Sequence, residues 1–147
     1  MDTASIDPGQ ILAAISDAVV VSDRAGRITF WNGAAERIFG FTSHEALGQS
    51  MDIFVPERLR KRHWDGYHES MRTGKTRYST DVLRVPAVDK AGNNLSIAFT
   101  VAMINGPGGL PEAIVAVIRD ETQRFADERA LRKRVAELEA QVAPPKP

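Results

Sequence analysis

One alternating stretch in the second half of the chain limits the possible folds most. Between residues 95 and 104, apolar side chains occupy every second position: Leu95, Ile97, Phe99, Val101 and Met103. Because successive side chains of a strand point to opposite faces of a sheet, this pattern predicts a strand with one apolar face. β-rich segments at about 77–88 and 113–118 flank it across glycine-containing turns. Together they predict an antiparallel sheet with one face on a core and one in water.

A hairpin of two short strands is predicted nearer the N-terminus. Residues 18–22 contain a β-branched run, and residues 27–31 resume as a strand after a turn at 23–26. Asp7 and Pro8 precede the hairpin and are typical of a helix start, with Asp as the N-cap and Pro at the first helical position. A short helix is therefore expected before the first strand.

Helical segments fill the interval between the hairpin and the three later strands. Apolar side chains at helical spacing predict short helices at about 32–40 and 43–47. Pro56 is expected to begin a longer helix that runs to about Thr73, because Gly74 follows as a stop signal. This mixture of helices and an antiparallel sheet predicts an α+β fold.

A last helix is predicted after the sheet, with Thr122 as its cap. Leu131, Val135, Leu138 and Val142 are spaced by four, three and four residues, which is a heptad seam. Two heptads are too short to be stable alone, so we predict a homodimer with the first and last helices at its interface. The alternative is that the seam folds back on its own domain.

The composition argues against several classes of function. Basic and acidic residues balance at 19 each, so we expect no general attraction to nucleic acid or to an anionic membrane. The absence of cysteine excludes disulfides, thiolate metal sites and a thiol nucleophile. No nucleophile–base pair, acidic metal cluster or kinase motif is present, so we do not expect an enzyme. With no secretory signal at residues 1–10 and no membrane-length apolar run, a cytoplasmic location is expected by default.

Five short phrases follow one another in an order typical of a known family. They lie at residues 17–23, 26–32, 35–41, 89–92 and 119–122. In these phrases the chain resembles the PAS family of sensor domains. The resemblance implies a five-stranded antiparallel sheet in the order 2-1-5-4-3, which cups a ligand or a packed core, and a signal passed to a dimer or a separate effector protein. The expected divisions are an N-terminal cap helix at 1–16, a sensor domain at 17–120, and a linker helix with a tail at 121–147.

Residues 57–67 resemble the haem-binding branch of that family more narrowly. This branch includes the rhizobial oxygen-sensing kinases and the direct oxygen sensor phosphodiesterases, whose iron ligand is a histidine after a Pro-Glu pair and an Arg-rich turn. His63 matches that position, so the resemblance implies haem b as the cofactor and His63 as the metal ligand. The implied function is sensing of a small diatomic ligand or of redox state. The alternative is a haem-free module for dimerisation or for binding another small ligand.

Helical spacing gives a second argument for His63. At about 100° per residue, Leu59, His63, Gly66 and Ser70 fall within about 60° of one another, with Tyr67 at the flank. A core-packing helix normally fills such a stripe with bulky apolar side chains, so His63 beside two small residues suggests room for a flat group. A neutral imidazole is a good axial ligand for haem iron. The other interpretation is a core or boundary histidine that is hydrogen-bonded to a carbonyl.

The opposite wall of the pocket is predicted to be apolar, from Leu83, Ile97, Phe99, Val101 and Met103. Oxygen sensors of the branch carry an arginine on the strand that faces the haem, and the matching position here is Leu83. Alternation aims the neighbouring Arg84 outward. Carbon monoxide, nitric oxide or redox sensing, or simple haem binding, therefore fits this wall better than stable oxygen binding.

Four other side chains complete the predicted site or are set aside from it. Arg77, with Tyr78, is placed to meet the haem propionates, since guanidinium groups suit carboxylates, although a solvated strand end is the alternative. His44 and His68 are expected at the surface, where they would not form a zinc site.

Overall fold

A five-stranded antiparallel sheet lies at the centre of the computed structural model, which describes residues 5–76 and 80–142. The strands are β1 (Ala18–Asp23), β2 (Ile28–Trp31), β3 (Leu83–Val88), β4 (Asn94–Asn105) and β5 (Pro111–Asp120). Their order across the sheet is β2-β1-β5-β4-β3, and every neighbouring pair is antiparallel. The predicted α+β class and the strand order implied by the resemblance are both confirmed.

Five α-helices accompany the sheet in the described residues. They are α1 (Pro8–Ala14), α2 (Gly33–Phe39), α3 (Ser43–Ala46), α4 (Arg60–Thr73) and α5 (Thr122–Gln141). The Asp7 side chain accepts the amide hydrogen of Gly9 at the start of α1, as predicted. Gly74 ends α4 in the left-handed conformation, at φ 72°, which glycine adopts without a Cβ clash. None of the described helices is long and apolar enough to cross a membrane.

Two predicted boundaries near the candidate site are shifted. Pro56 precedes a 3-10 turn at Glu57–Leu59, and the α-helix begins only at Arg60. The strand expected from residue 77 begins at Leu83: residues 80–82 lie outside it, and residues 77–79 are outside the described part of the chain. Thr80 and Asp81 favour local turns over a strand, which accounts for the later start.

The predicted cap of the last helix is also wrong. The N-cap of α5 is Glu121, and Thr122 is the first helical residue. The hydroxyl of Thr122 accepts the amide hydrogen of Ser96 at 3.0 Å, so β4 already occupies the oxygen that a cap would need. The junction between β5 and α5 is thereby attached to the neighbouring strand.

The inner face of the sheet is covered unevenly. Ala18, Val20 and Ile118 are between 0 and 2% exposed. On the same inner face, Phe99 and Val101 of β4 pack against the core but remain half-buried. The part of the sheet formed by β3 and β4 therefore carries apolar side chains that the helices cover incompletely.

Candidate functional site

His63 lies near the start of α4 with its ring half-buried. Its Nδ1 atom is buried and has no hydrogen-bond partner in the structure. Burial lowers the pKa of His63, the Asp52 carboxylate opposes this shift, and His68 adds to it. The imidazole is therefore neutral at neutral pH, and a neutral imidazole has a lone pair available for a metal ion.

The buried face of α4 is centred on Tyr67 and Met71, which are 7% and 5% exposed. His63 and Ser70 are half-buried at its edge, and Gly66 is exposed. The expectation that Gly66 lies on the inward face is therefore wrong, and His63 is not at the centre of that face. A Cβ on Gly66 would meet no atom within 4 Å, so this position faces open space.

The hydroxyl group of Tyr67 contributes to the rotation of α4. This hydroxyl hydrogen-bonds with Ser22 Oγ at 3.0 Å and donates to the backbone carbonyl of Asp23. Burial raises the pKa of Tyr67, so the hydroxyl stays protonated and able to donate at neutral pH. Tyr67, predicted as a cofactor contact, thus attaches α4 to the end of β1, while its ring centroid lies 6.0 Å from that of His63.

Trp64 packs edge-on against His63, with ring centroids 4.7 Å apart, and sequence reasoning passed over it. Its Nε1 donates to Asp52 Oδ1 at 2.7 Å. Its ring lies against Gly26, where a Cβ would come within 2.2 Å of the indole. Trp64 therefore holds the start of α4 against the turn between β1 and β2. The sequence signal that could have identified Trp64 was its position as a large aromatic residue directly after His63 in the chain.

The side chains predicted to form an apolar wall lie on β4 and β3. Phe99, Val101 and Met103 lie on the inner face of β4 and pack against the core, as the alternation predicted. Leu83 is half-buried and is the cross-strand partner of Phe99. The side chains named for this wall carry no hydrogen-bond donor.

Arg84 is exposed, as predicted. Its Nε lies 3.2 Å from Oε2 of Glu121, so its charge is engaged outside the sheet. His44 and His68 are exposed, also as predicted. Arg77 and Tyr78 lie outside the described residues, and their contact with propionates stays a prediction.

His63 has no companion ligands of the usual kinds. Across residues 5–76 and 80–142, no group of three or more His, Cys, Asp and Glu side chains is placed to hold a metal ion. Structural zinc sites need four protein ligands, whereas a haem iron needs a single axial side chain from the protein. The donor set at His63 is therefore compatible with haem and unsuited to a bare metal ion.

The five-stranded antiparallel sheet, the short helices beside it and the long final helix define a small α+β domain. The sequence profile described as PAS fold matches residues 7–121, so the chain belongs to the PAS family. PAS domains are sensory and signalling modules, and this chain is one of them.

Two curated relatives are informative. The sensor protein FixL of Bradyrhizobium diazoefficiens is 32% identical over 129 residues, which cover 87% of this chain and 25% of FixL. The oxygen sensor protein DosP of Escherichia coli is 23% identical over 116 residues, which cover 79% of this chain and 14% of DosP. The chain thus spans a quarter or less of the length of these relatives.

Solved structures agree on the fold. The PAS domain of a protein from Colwellia psychrerythraea superposes with a TM-score of 0.69 at 19% identity, covering 78% of this chain and 94% of that domain. A sensory box histidine kinase/response regulator from Burkholderia thailandensis gives a TM-score of 0.64 at 19% identity, covering 91% of this chain and 99% of that one. At such identities the likeness concerns the fold alone.

Proposed function

We propose that this PAS domain binds haem b through His63 and senses a diatomic gas or redox state. The observation that carries the proposal is the buried Nδ1 of His63, which has no hydrogen-bond partner in the structure. Leaving a buried polar group unpaired costs about 1–3 kcal/mol, so such a group in a sensor domain calls for an explanation. In a neutral ring, a proton on the buried Nδ1 leaves the lone pair of Nε2 for an iron atom.

The surrounding residues fit haem chemically. His63 is kept neutral by burial, as an iron ligand must be. The wall of Leu83, Phe99, Val101 and Met103 is apolar, as a cofactor pocket requires. Arg77 remains the proposed partner of a propionate. When bound, haem supplies an iron site for a diatomic gas, and the residues around it determine which gas is favoured.

In this proposal, the selectivity between oxygen and carbon monoxide comes from Leu83, whose side chain has no hydrogen-bond donor. Arg84, the nearest guanidinium along β3, is exposed and pairs with Glu121 instead of facing the pocket. A gas that gains negative charge when it binds, as oxygen does, receives no side-chain hydrogen bond from this wall. Carbon monoxide gains little charge when it binds, so its affinity is lowered less by the lack of a hydrogen-bond donor.

A haem-free dimerisation module is the second candidate, and α5 is compatible with it. The apolar seam of this helix is exposed, with Leu131 64% and Val142 78% accessible. This seam suits a dimer whether or not a cofactor is bound. A dimer is therefore compatible with both candidate functions, and haem binding is the property that distinguishes them.

The test is expression with added haem followed by absorption spectroscopy of the purified protein. We expect a sharp Soret band and one haem per chain, because His63 offers one axial nitrogen. Circular dichroism on the same sample verifies the fold. A colourless but folded protein would support the haem-free module instead.

A further inference from the structure

The carboxylate group of Asp52 acts on His63 from outside α4. Asp52 lies in the 3-10 turn Met51–Ile53. Burial lowers the pKa of His63 and Asp52 opposes this shift, so the charge of the carboxylate reaches the imidazole. Asp65, two positions after His63, instead pairs with Lys61 at 2.9 Å on the exposed surface of α4. Asp52 is therefore the candidate acceptor for the ring of His63.

This carboxylate is already bonded to Trp64. The indole Nε1 donates to Asp52 Oδ1 at 2.7 Å, which is the short distance of a hydrogen bond to a charged acceptor. The same indole packs edge-on against the His63 ring, with 4.7 Å between the ring centroids and 77° between the ring planes. One side chain therefore contacts both the imidazole and the carboxylate.

Packing on several sides holds the indole of Trp64 in this position. A Cβ on Gly26 would come within 2.2 Å of the indole atoms Cη2 and Cζ3, so the turn between β1 and β2 lies directly against the ring. The ring of His68 stacks on the indole at 5.9 Å, and the ring of Tyr67 meets it edge-on at 5.3 Å. The bond to Asp52 is therefore kept by the shape of the surroundings as well as by its own strength.

The bond has a consequence for His63 because of the way in which proteins support metal-binding histidines. A histidine that binds a metal ion through one ring nitrogen usually donates from the other to a carboxylate, a carbonyl or water, and this second bond makes it a stronger ligand. Nδ1 of His63 has no such partner. In the structure Asp52 bonds to Trp64 instead.

We infer that Trp64 is a positioning residue that competes with His63 for Asp52. By holding the carboxylate, Trp64 leaves Nδ1 unbonded and keeps the imidazole a weak electron donor. This role deepens the proposed function, on which its consequence for iron rests. A weak donor favours reduced over oxidised iron, because the oxidised ion carries the larger positive charge. Trp64 therefore raises the reduction potential of the bound haem.

Reduction potentials of the haem-loaded variants test the competition. Trp64→Phe keeps an aromatic ring but removes the indole donor, so Asp52 becomes free to accept from Nδ1. We expect the equilibrium constant for reduction to fall by about fivefold or more, which lowers the potential by about 40 mV. Trp31→Phe is the matched control, because it removes the other indole donor, which bonds to the Phe41 carbonyl at 2.9 Å. It should leave the potential unchanged.

A double-variant cycle separates this role from a purely structural one. With Asp52→Asn in both proteins, the negatively charged acceptor is gone, so Trp64→Phe should change the equilibrium constant by less than about twofold. Replacing Trp64 by 3-benzothienylalanine, in which sulfur replaces the indole N–H, should act like Trp64→Phe while the ring stays on Gly26. An unchanged potential in both replacements of Trp64, or an equal fall with and without Asp52→Asn, would overturn the inference.

The competition is also measurable in the apoprotein. With nitrogen-15 in the histidines and mildly alkaline pH, we expect Trp64→Phe to move the Nδ1 proton resonance of His63 downfield, as a new hydrogen bond to a carboxylate does. Trp31→Phe should not move it. No movement in Trp64→Phe would overturn the inference whether or not the protein binds haem. A moved resonance in a protein without a Soret band would support the competition and refute the proposed function alone.

Discussion

At the scale of single residues, Leu83 decides the chemistry of the apolar wall. Replacing it with arginine introduces a donor at the position where the resemblance places one in oxygen sensors. A charged hydrogen bond is worth about 1.5–3 kcal/mol, so Leu83→Arg is expected to raise oxygen affinity by about ten- to a hundredfold. Carbon monoxide affinity should change much less. Gas titrations of the haem-loaded protein measure both quantities.

The matched control for this substitution is Val82→Arg. Val82 is 49% exposed and adjacent to Leu83, so the variant adds the same charge outside the pocket. It should leave both gas affinities unchanged. If the wild type already holds oxygen tightly and Leu83→Arg changes nothing, then water or the backbone supplies the donor and the described pocket is wrong.

Tyr67 is expected to act on stability rather than on the cofactor. Tyr67→Phe leaves the Ser22 hydroxyl and the Asp23 carbonyl without this partner, so the free energy of unfolding should fall by about 1–3 kcal/mol in urea denaturation. The Soret band should keep its position. A shifted band with unchanged stability would mean that the hydroxyl contacts haem.

Sequence reasoning could place some of these residues and not others. Alternation along a strand has a fixed period, so the opposite orientations of Leu83 and Arg84 were predictable. The rotation of α4 was not, because it depends on a bond between Tyr67 and Ser22, which lie 45 residues apart. Helical periodicity contains no information about such a tertiary contact, and for this reason Gly66 was misplaced.

At the scale of elements, the junction between β5 and α5 links the last helix to the strands of the candidate pocket. The amide of Glu121 donates to the Ser96 carbonyl at 2.8 Å, and Arg84 pairs with the Glu121 carboxylate. Arg84 directly follows Leu83, so a displacement of β3 at the pocket would reach the start of α5 through one ion pair. We propose this as the route by which a signal leaves the domain.

Arg84→Ala tests that route by hydrogen exchange. An exposed ion pair contributes about 0–1 kcal/mol, so global stability should change little. Exchange of the Phe125 amide, which donates to the Glu121 carbonyl in the first turn of α5, should become faster. Arg72→Ala, which removes an exposed ion pair with Glu69 inside α4, is the matched control and should leave Phe125 unaffected. Equal protection of Phe125 in all three proteins would exclude Arg84 from the route.

The boundaries of helices and strands could also be predicted where neighbouring residues determine them, and not where a tertiary contact does. The caps at Asp7 and Gly74 depend on neighbouring residues, and both were predictable. Thr122 was mistaken for a cap because its hydroxyl is bound by Ser96 of β4, 26 residues away in sequence. The start of β3 was misplaced for a different reason. A strand was predicted from about residue 77, but Thr80 and Asp81 favour turns, and the strand begins only at Leu83.

At the scale of the whole molecule, the proposed function requires coupling between the proposed haem pocket and the proposed dimer. By linkage, a gas that changes the dimer Kd must bind the monomer and the dimer with different affinities, and with one site per subunit the Kd changes by the square of that affinity ratio. We expect a factor of about five or more between carbon monoxide affinities measured well below and well above the dimer Kd. Leu138→Asp, which removes the seam contact, should abolish the concentration dependence. If the carbon monoxide affinity of the wild type were the same at all protein concentrations, gas binding and dimerisation would not be coupled, and the domain would bind haem without signalling through the dimer.

Haem ligation by His63 is the central claim, and titration of four apoproteins with hemin tests it most directly. The wild type and the variants His44→Ala, His68→Ala and His63→Ala are compared by absorption, with circular dichroism to verify that each is folded. We predict a sharp Soret band at one haem per chain in the first three proteins and its loss in His63→Ala, because only His63 combines burial with an unpaired ring nitrogen among the described histidines. A wild-type spectrum in His63→Ala would contradict the assignment.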